Sequence, residues 1–196
     1  MKKLSTYLFL IFFSFQASSW ADDIRNYEIE GMSIGDSLLD YFSEDEIKNN
    51  IVKTYYKYKS TKKFVAVEFY EVPFFKTYKD GIQIHLKRND KKYEIYGLSG
   101  NIWYKENFDD CYKKQNEIDK ELSKVFKEAE REYASKTKHP ADESGKSNVT
   151  YIVYWFKLGD HAAIDCTDWS SKMKPRRDNL SVNLITKELN DWLNSD

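Results

Sequence analysis

Two cysteines, three histidines and two basic runs are the groups in this sequence with chemistry to offer. Cys111 and Cys166 lie 55 residues apart, without the CxxC spacing of a redox pair or a zinc knuckle. His161 has Asp160, Asp165 and Asp168 close by, which raises the question of a metal. One imidazole with carboxylates at no repeating interval falls short of the three or four ligands a zinc site takes, and no metal ligand is assigned. If 161–168 is a strand, His161 and Asp165 share a face and Asp168 points the other way. His85 and His139 stand apart from any acid–nucleophile pattern. The sequence holds no Walker loop, GxGxxG, HExxH or GxSxG, so no cofactor and no catalytic residue is assigned.

The run Lys48 to Lys63 (KNNIVKTYYKYKSTKK) carries six lysines, no acid and three interleaved tyrosines. Lys53, Tyr56, Lys57, Tyr58, Lys59, Lys62 and Lys63 are its candidate contacts for an anionic lipid, a polysaccharide or an acidic protein. The competing reading is a solvated strand edge, with lysines deterring aggregation. A second basic cluster, Lys172, Lys174, Arg176 and Arg177, carries the same two readings. Lysine outnumbers arginine 26 to 5, whereas a nucleic-acid reader favours the planar, bidentate arginine fork. Nucleic acid is therefore not an expected partner.

The first residues read as an address. Lys2 and Lys3 precede the apolar run Tyr7 to Phe15, and Ser19-Trp20-Ala21 supplies a small-x-small exit before Asp22. The apolar run is half the length a membrane span needs. Cleavage after Ala21 leaves 29 basic against 32 acidic side chains, a net charge of −3, and no transmembrane span. In an exported chain two thiols are expected to bridge, so Cys111–Cys166 is the expected disulfide.

The 196 residues, 41% apolar and with seven glycines and three prolines, suit one domain over 22–196 rather than a disordered or fibrous chain. Ser33 with Asp36 reads as a helix cap, and Ile34, Leu38 and Phe42 as that helix's apolar stripe. Ser43 with Glu46 caps a second short helix over 44–50. Strands are expected over 64–72, 82–86 and 93–104, the last interrupted at Gly97 and Gly100. A long amphipathic helix capped by Asp109 or Asp110 carries Cys111, Gln115, Ile118, Leu122, Val125, Phe126, Ala129 and Tyr133 on one face. Residues 135–147 read as an exposed loop, 149–158 and 162–169 as strands, and 180–184 as a last strand. A short terminal helix then carries Leu189, Trp192 and Leu193. The expected class is α+β: a mainly antiparallel sheet, a short N-terminal helix pair and one long amphipathic helix packed on the sheet.

Glu30-Gly31-Met32-Ser33, followed by Leu38 and Leu39, resembles over residues 29–43 the start of the SmpA/OmlA family of envelope-assembly proteins. That family's pattern implies an apolar helix leading into a small antiparallel sheet. The chain has no lipidation cysteine, and Tyr41-Phe42-Ser43 stands where the family's helix-ending glycine does, so no functional residue is carried over. As a whole the chain resembles small exported bacterial proteins. The leading expectation is a periplasmic or secreted, non-enzymatic envelope or interaction module, partnered by an envelope protein or an anionic envelope component. A periplasmic binder of a small ligand or lipid stands second, and a hydrolase third.

Overall fold

The computed structural model describes residues 23–195 apart from 54, 57, 58, 73, 74, 105 and 106. The expected export segment 1–21, and Lys57 and Tyr58 of the basic run, lie outside the described residues. The chain enters through two short strands, β1 (Glu28–Ile29) and β2 (Met32–Ser33), joined by Glu30 and Gly31. Both joining residues have positive φ, 54° and 81°, as a two-residue hairpin turn with the right twist requires. The first expected helix, opening at Ser33, does not form, and Ser33 instead ends β2. The Ser33 N–H does donate to the Asp36 carboxylate, at 2.8 Å, but in a turn that bends at Gly35. Only a 3-10 turn, Leu38–Asp40, follows, capped by the Ser37 hydroxyl. Ile34, Leu38 and Phe42 are all buried, yet they reach the core from three different local conformations. Helical spacing described their burial and not their backbone. At α1 (Glu44–Asn49), Ser43 and Glu46 cap each other's backbone N–H groups.

Seven strands then build one antiparallel sheet: β3 (Phe64–Phe69), β4 (Gly81–Lys87), β5 (Ile95–Trp103), β6 (Glu130–Lys138), β7 (Asn148–Trp155), β8 (His161–Asp168) and β9 (Asn179–Ile185). Their order is β3-β4-β5-β9-β8-β7-β6, so the last strand inserts between β5 and β8. With three α-helices among the described residues, the chain is a mixed α and β protein built on an antiparallel sheet. The expected break at Gly97 and Gly100 does not occur: β5 runs through both. Bare backbone there leaves room for neighbouring side chains, Leu189 and His85 at Gly97 and Tyr78 at Gly100.

The helix α2 (Asp109–Val125) buries Cys111, Gln115, Ile118 and Leu122. Its N-cap is Phe108, while Asp109 and Asp110 sit inside the first turn, where the helix dipole favours them. The expected apolar face extends too far. The helix ends at Val125, and Tyr133 lies on β6, 57% exposed. Residues 130–138, partly expected as loop, are an edge strand with nearly every side chain in water. A strand wet on both faces shows no apolar alternation. Its charges, and a bulge between Ala134 and Thr137, suit an edge that must not recruit other strands.

Against α2 the sheet packs an aliphatic core that includes the N-terminal segment through Ile24, Tyr27, Met32 and Leu38. Cys111 and Cys166 form a disulfide that ties α2 to β8. Gln115, buried beside it, donates from Nε2 to the carbonyls of Thr150 and Ile164 at 3.0 and 2.7 Å, so its amide is not an orphan. Arg131 grips Asp119 through two nitrogens at 2.8 and 2.9 Å, and the Tyr154 hydroxyl donates to the same carboxylate at 2.6 Å. On the opposite face α3 (Lys187–Asn194) lays Leu189 and Trp192 on Phe64, Ala66 and Tyr56.

Candidate functional site

The basic run divides once it is folded. Lys48 belongs to α1 and pairs with Glu44 at 2.7 Å, and the residues after that helix are strand-like: the Val52 N–H donates to Ala66 and the Glu68 N–H to Asn50, so residues 50–52 shield the outer edge of β3. Lys59 is 3% exposed, and its ammonium donates to the carbonyls of Leu193 and Ser195 at the end of α3. A cation at a helix C-terminus satisfies carbonyls that no backbone N–H can reach. Lys59 therefore anchors α3, where the sequence suggested an exposed contact. Tyr56 is likewise buried, its ring edge-on to Trp192 at 4.8 Å. Lys63 pairs with Glu188 at 3.0 Å, and Lys87 meets the same carboxylate at 2.9 Å. Against the burial that would raise it, these two ammonium groups hold Glu188 below the usual carboxylate range.

What remains of the run opens a cleft of about 450 Å³. Ile51, Val52, Phe64 and Val65 line it with apolar surface, Tyr56 contributes its ring, and Lys53, Lys62 and Arg88 bring positive charge. All three cations are exposed, and no carboxylate lines the cleft among the described residues. The Lys62 ammonium donates to the carbonyls of Tyr56 and Lys59 at 2.9 and 2.5 Å, which fixes the loop that carries it. Arg88 Nε donates to the Lys62 carbonyl at 2.9 Å. Arg88 was missed from sequence. Its signal was the hairpin register: Phe64 opposite Lys87 places the next residue, Arg88, beside Lys63.

Of the second basic cluster, Arg176 stacks over Trp169 at 4.5 Å and Arg177 over Trp103 at 3.9 Å. His161 and Asp165 do share one face of β8, about 13 Å apart as four strand residues dictate. His161 packs on Trp155 and Asp165 accepts from Asn183 at 2.7 Å, so the two do not converge. Burial alone pulls His85 and His161 down to about 4. Their Nδ1 atoms are buried without hydrogen-bond partners. His139, Asp142, Ser147 and Ser170, residue types that a hydrolase uses, cluster, but the carboxylate accepts from both serines rather than from the imidazole. The His139 Nδ1 accepts from its own loop, from the Ala141 N–H. Asp142, held well below its ordinary range chiefly by the Ser147 hydroxyl, locks that loop in place. Among the described residues no group of three metal-ligating side chains gathers, and no helix is long and apolar enough to cross a membrane.

Compared with protein-family models, with curated proteins and with solved structures, the chain finds no match.

Proposed function

We propose that the chain is an exported, non-enzymatic envelope module that holds an anionic amphiphile, an acidic lipid, at the β3 edge of its sheet. The observation that carries this reading is the cleft itself, an apolar floor under Lys53, Lys62 and Arg88 with no acid among its described lining residues. Such a site complements a negative headgroup joined to an apolar body. The basic start, short apolar run and small-x-small exit of residues 1–21 support export to the periplasm or beyond. The disulfide is the kind of bond that persists in those compartments.

The test is flotation of the oxidised protein with phosphatidylglycerol vesicles and with phosphatidylcholine vesicles. Binding to the acidic vesicles alone is expected, weakening steeply with added salt because exposed charges are screened over about 8 Å at physiological ionic strength. Lys53→Glu, Lys62→Glu and Arg88→Glu combined should abolish it. Equal binding to both vesicles, or full binding by the triple variant, would overturn the proposal.

A further inference from the structure

The sheet has a second working surface, away from α2 and in the middle of the strands. Strand residues alternate between faces, so the registers assign each one. On the face away from α2, Glu68, Gln83, Ser99, Asn183, Ala163 and Val153 form one row across six strands. Gly81, Asn101, Ser181, Asp165 and Tyr151 form the next. The row on one side of these two is covered, since Leu189 of α3 sits directly over Gly97. On the other side stand Trp103 and Trp169, each stacked by an arginine, and the Trp169 Nε1 donates to Asn179 at 3.3 Å. The result is a shallow trough across the strands, about 19 Å from β4 to β7 at four strand spacings. Tyr70, 55% exposed, lies 5.8 Å from Trp103 at one end, and Tyr151 closes the other.

An ordinary solvated face would look different in this chain. Charged residues make up 32% of the sequence and lysine dominates them, yet the two floor rows contain no lysine or arginine. In the central strands β5, β9 and β8 they use asparagine and aspartate, which are poor strand formers, together with serine. The hydrogen bonds also fall short of closing on themselves. Asn101 Oδ1 accepts from Ser181 at 2.6 Å and from Asn179 at 3.2 Å, and Asn183 Nδ2 donates to Asp165 at 2.7 Å. Ser99, only 7% exposed, has a hydroxyl with no protein partner among the described residues, and Asn183 Oδ1 meets no protein donor. Neither atom is sealed off, since the buried unpartnered side-chain atoms among the described residues are the Nδ1 atoms of His85 and His161, so both can be completed by water or by a ligand hydroxyl.

We propose that this trough is a saccharide site, taking a short neutral oligosaccharide lengthwise across β4 to β7. Fixed amides and hydroxyls offer alternating donors and acceptors, which is what a row of sugar hydroxyls requires. The floor itself carries no cation for a phosphate or a nucleic acid, and the arginines of the wall, Arg176 and Arg177, are stacked on Trp169 and Trp103. Tyr70, Trp103 and Tyr151 supply flat rings with polar tips at its margins, suited to the apolar faces of sugar rings in a wet site. Burial pushes the Asp165 carboxyl up to about 7, against the Asn183 amide, so below that pH it adds an O–H donor to the floor.

The experiment is a glycan array spanning neutral, amino and acidic oligosaccharides, probed with oxidised protein, then calorimetry on the best neutral binder. Ser181→Lys and Gln83→Lys each place a long cation over the floor from a half-buried position outside the core. Each should weaken binding at least tenfold while leaving the thermal midpoint unchanged. Tyr133→Ser, on an exposed edge-strand site facing the α2 side, should bind as the parent does. An array without any saccharide bound by folded, oxidised protein overturns the proposal, as does binding that Ser181→Lys and Gln83→Lys leave intact. Capture of acidic glycans alone would equally sink it, by moving the contact to the basic cleft.

Discussion

On the face that carries α2 and the N-terminal segment, the strand residues Ile82, Ile84, Leu98, Ile152, Ile164 and Leu180 are each 1% exposed or less. One position along, the same strands present Gln83, Ser99, Tyr151, Ala163, Asp165 and Ser181 to the other face. The first face is packed as protein interiors are, and each of its side chains is held by shape. The second lies under α3 and the Tyr56 loop at one end; beyond them Ser99, Asn183, Ala163 and Val153 are 5–8% exposed and the next row is half-buried, with short polar groups that add little to packing. What stabilises this chain and what it can recognise are thus written on alternate residues of the same strands. Substitutions on the two faces should separate accordingly.

The largest effect is expected on the sealed face. Cys166→Ala opens a loop of 55 residues that the disulfide otherwise closes. In the chain-entropy account this costs about 4 kcal/mol. Urea unfolding of the variant, and of the parent with reductant, should show the same loss, with the native fold and saccharide binding retained below the transition. A loss under about 1 kcal/mol would mean that the aliphatic packing alone fixes α2 on the sheet.

The next effect belongs to the open face and depends on pH. His85 and His161, buried under the α3 end, hold pKa values of about 4, and burial with Arg176 nearby takes His139 to about 4 as well. For such groups the unfolded chain takes up protons first, so their stability is complete above about pH 6.5 and is lost as pH falls toward 4. Asp165, raised to about 7, works in reverse. Between about pH 7 and 4 the folded chain holds a proton that the unfolded chain has released, so this group adds stability as pH falls. Asp165→Asn removes that opposing contribution. The variant should lose about 2 kcal/mol more than the parent between pH 7.5 and pH 5, read from urea midpoints. Parallel curves for the two proteins would show that Asp165 is solvated like any surface carboxylate, and the floor of the trough with it.

Local grammar exposed much of the framework and little of the recognition surface. Alternation in Ile82–Ile84–Leu86 and Leu180–Val182–Leu184 marks strands because one face is buried, and two thiols behind a segment that reads as an export signal led to the expected bridge. The trough was not readable, because Asn101 and Ser181, 80 residues apart, become neighbours only when β9 inserts between β5 and β8. Lys59 was misplaced for the same reason: the carbonyls that bury it lie 134 and 136 residues further along. The Glu30-Gly31 hairpin was legible in principle, but a glycine followed by Met-Ser also fits a helix start, and nothing local decides between them.

The smallest effect, and the finest division between packed and open parts of one face, lies in two glycines. A Cβ built on Gly97 would stand 2.4 Å from Leu189 Cδ2 and 2.8 Å from His85 Nδ1, both inside the satellite core under α3. Neither neighbour is free to swing away, so α3 must shift. A Cβ on Gly81 would stand 3.0 Å from Cδ1 of Tyr70, whose exposed ring can turn aside. Overpacking of a filled core costs about 1–3 kcal/mol, against which Gly→Ala returns about 0.4–1 kcal/mol through a stiffer unfolded chain. Gly97→Ala should therefore lower stability by about 1–2 kcal/mol, with faster hydrogen exchange in α3 and altered Trp192 fluorescence. Gly81→Ala should be neutral or stabilising by about 0.5 kcal/mol, with α3 exchange unchanged. Equal responses at the two positions would mean that α3 rests loosely on the sheet, and that the boundary between its covered row and the trough is not fixed.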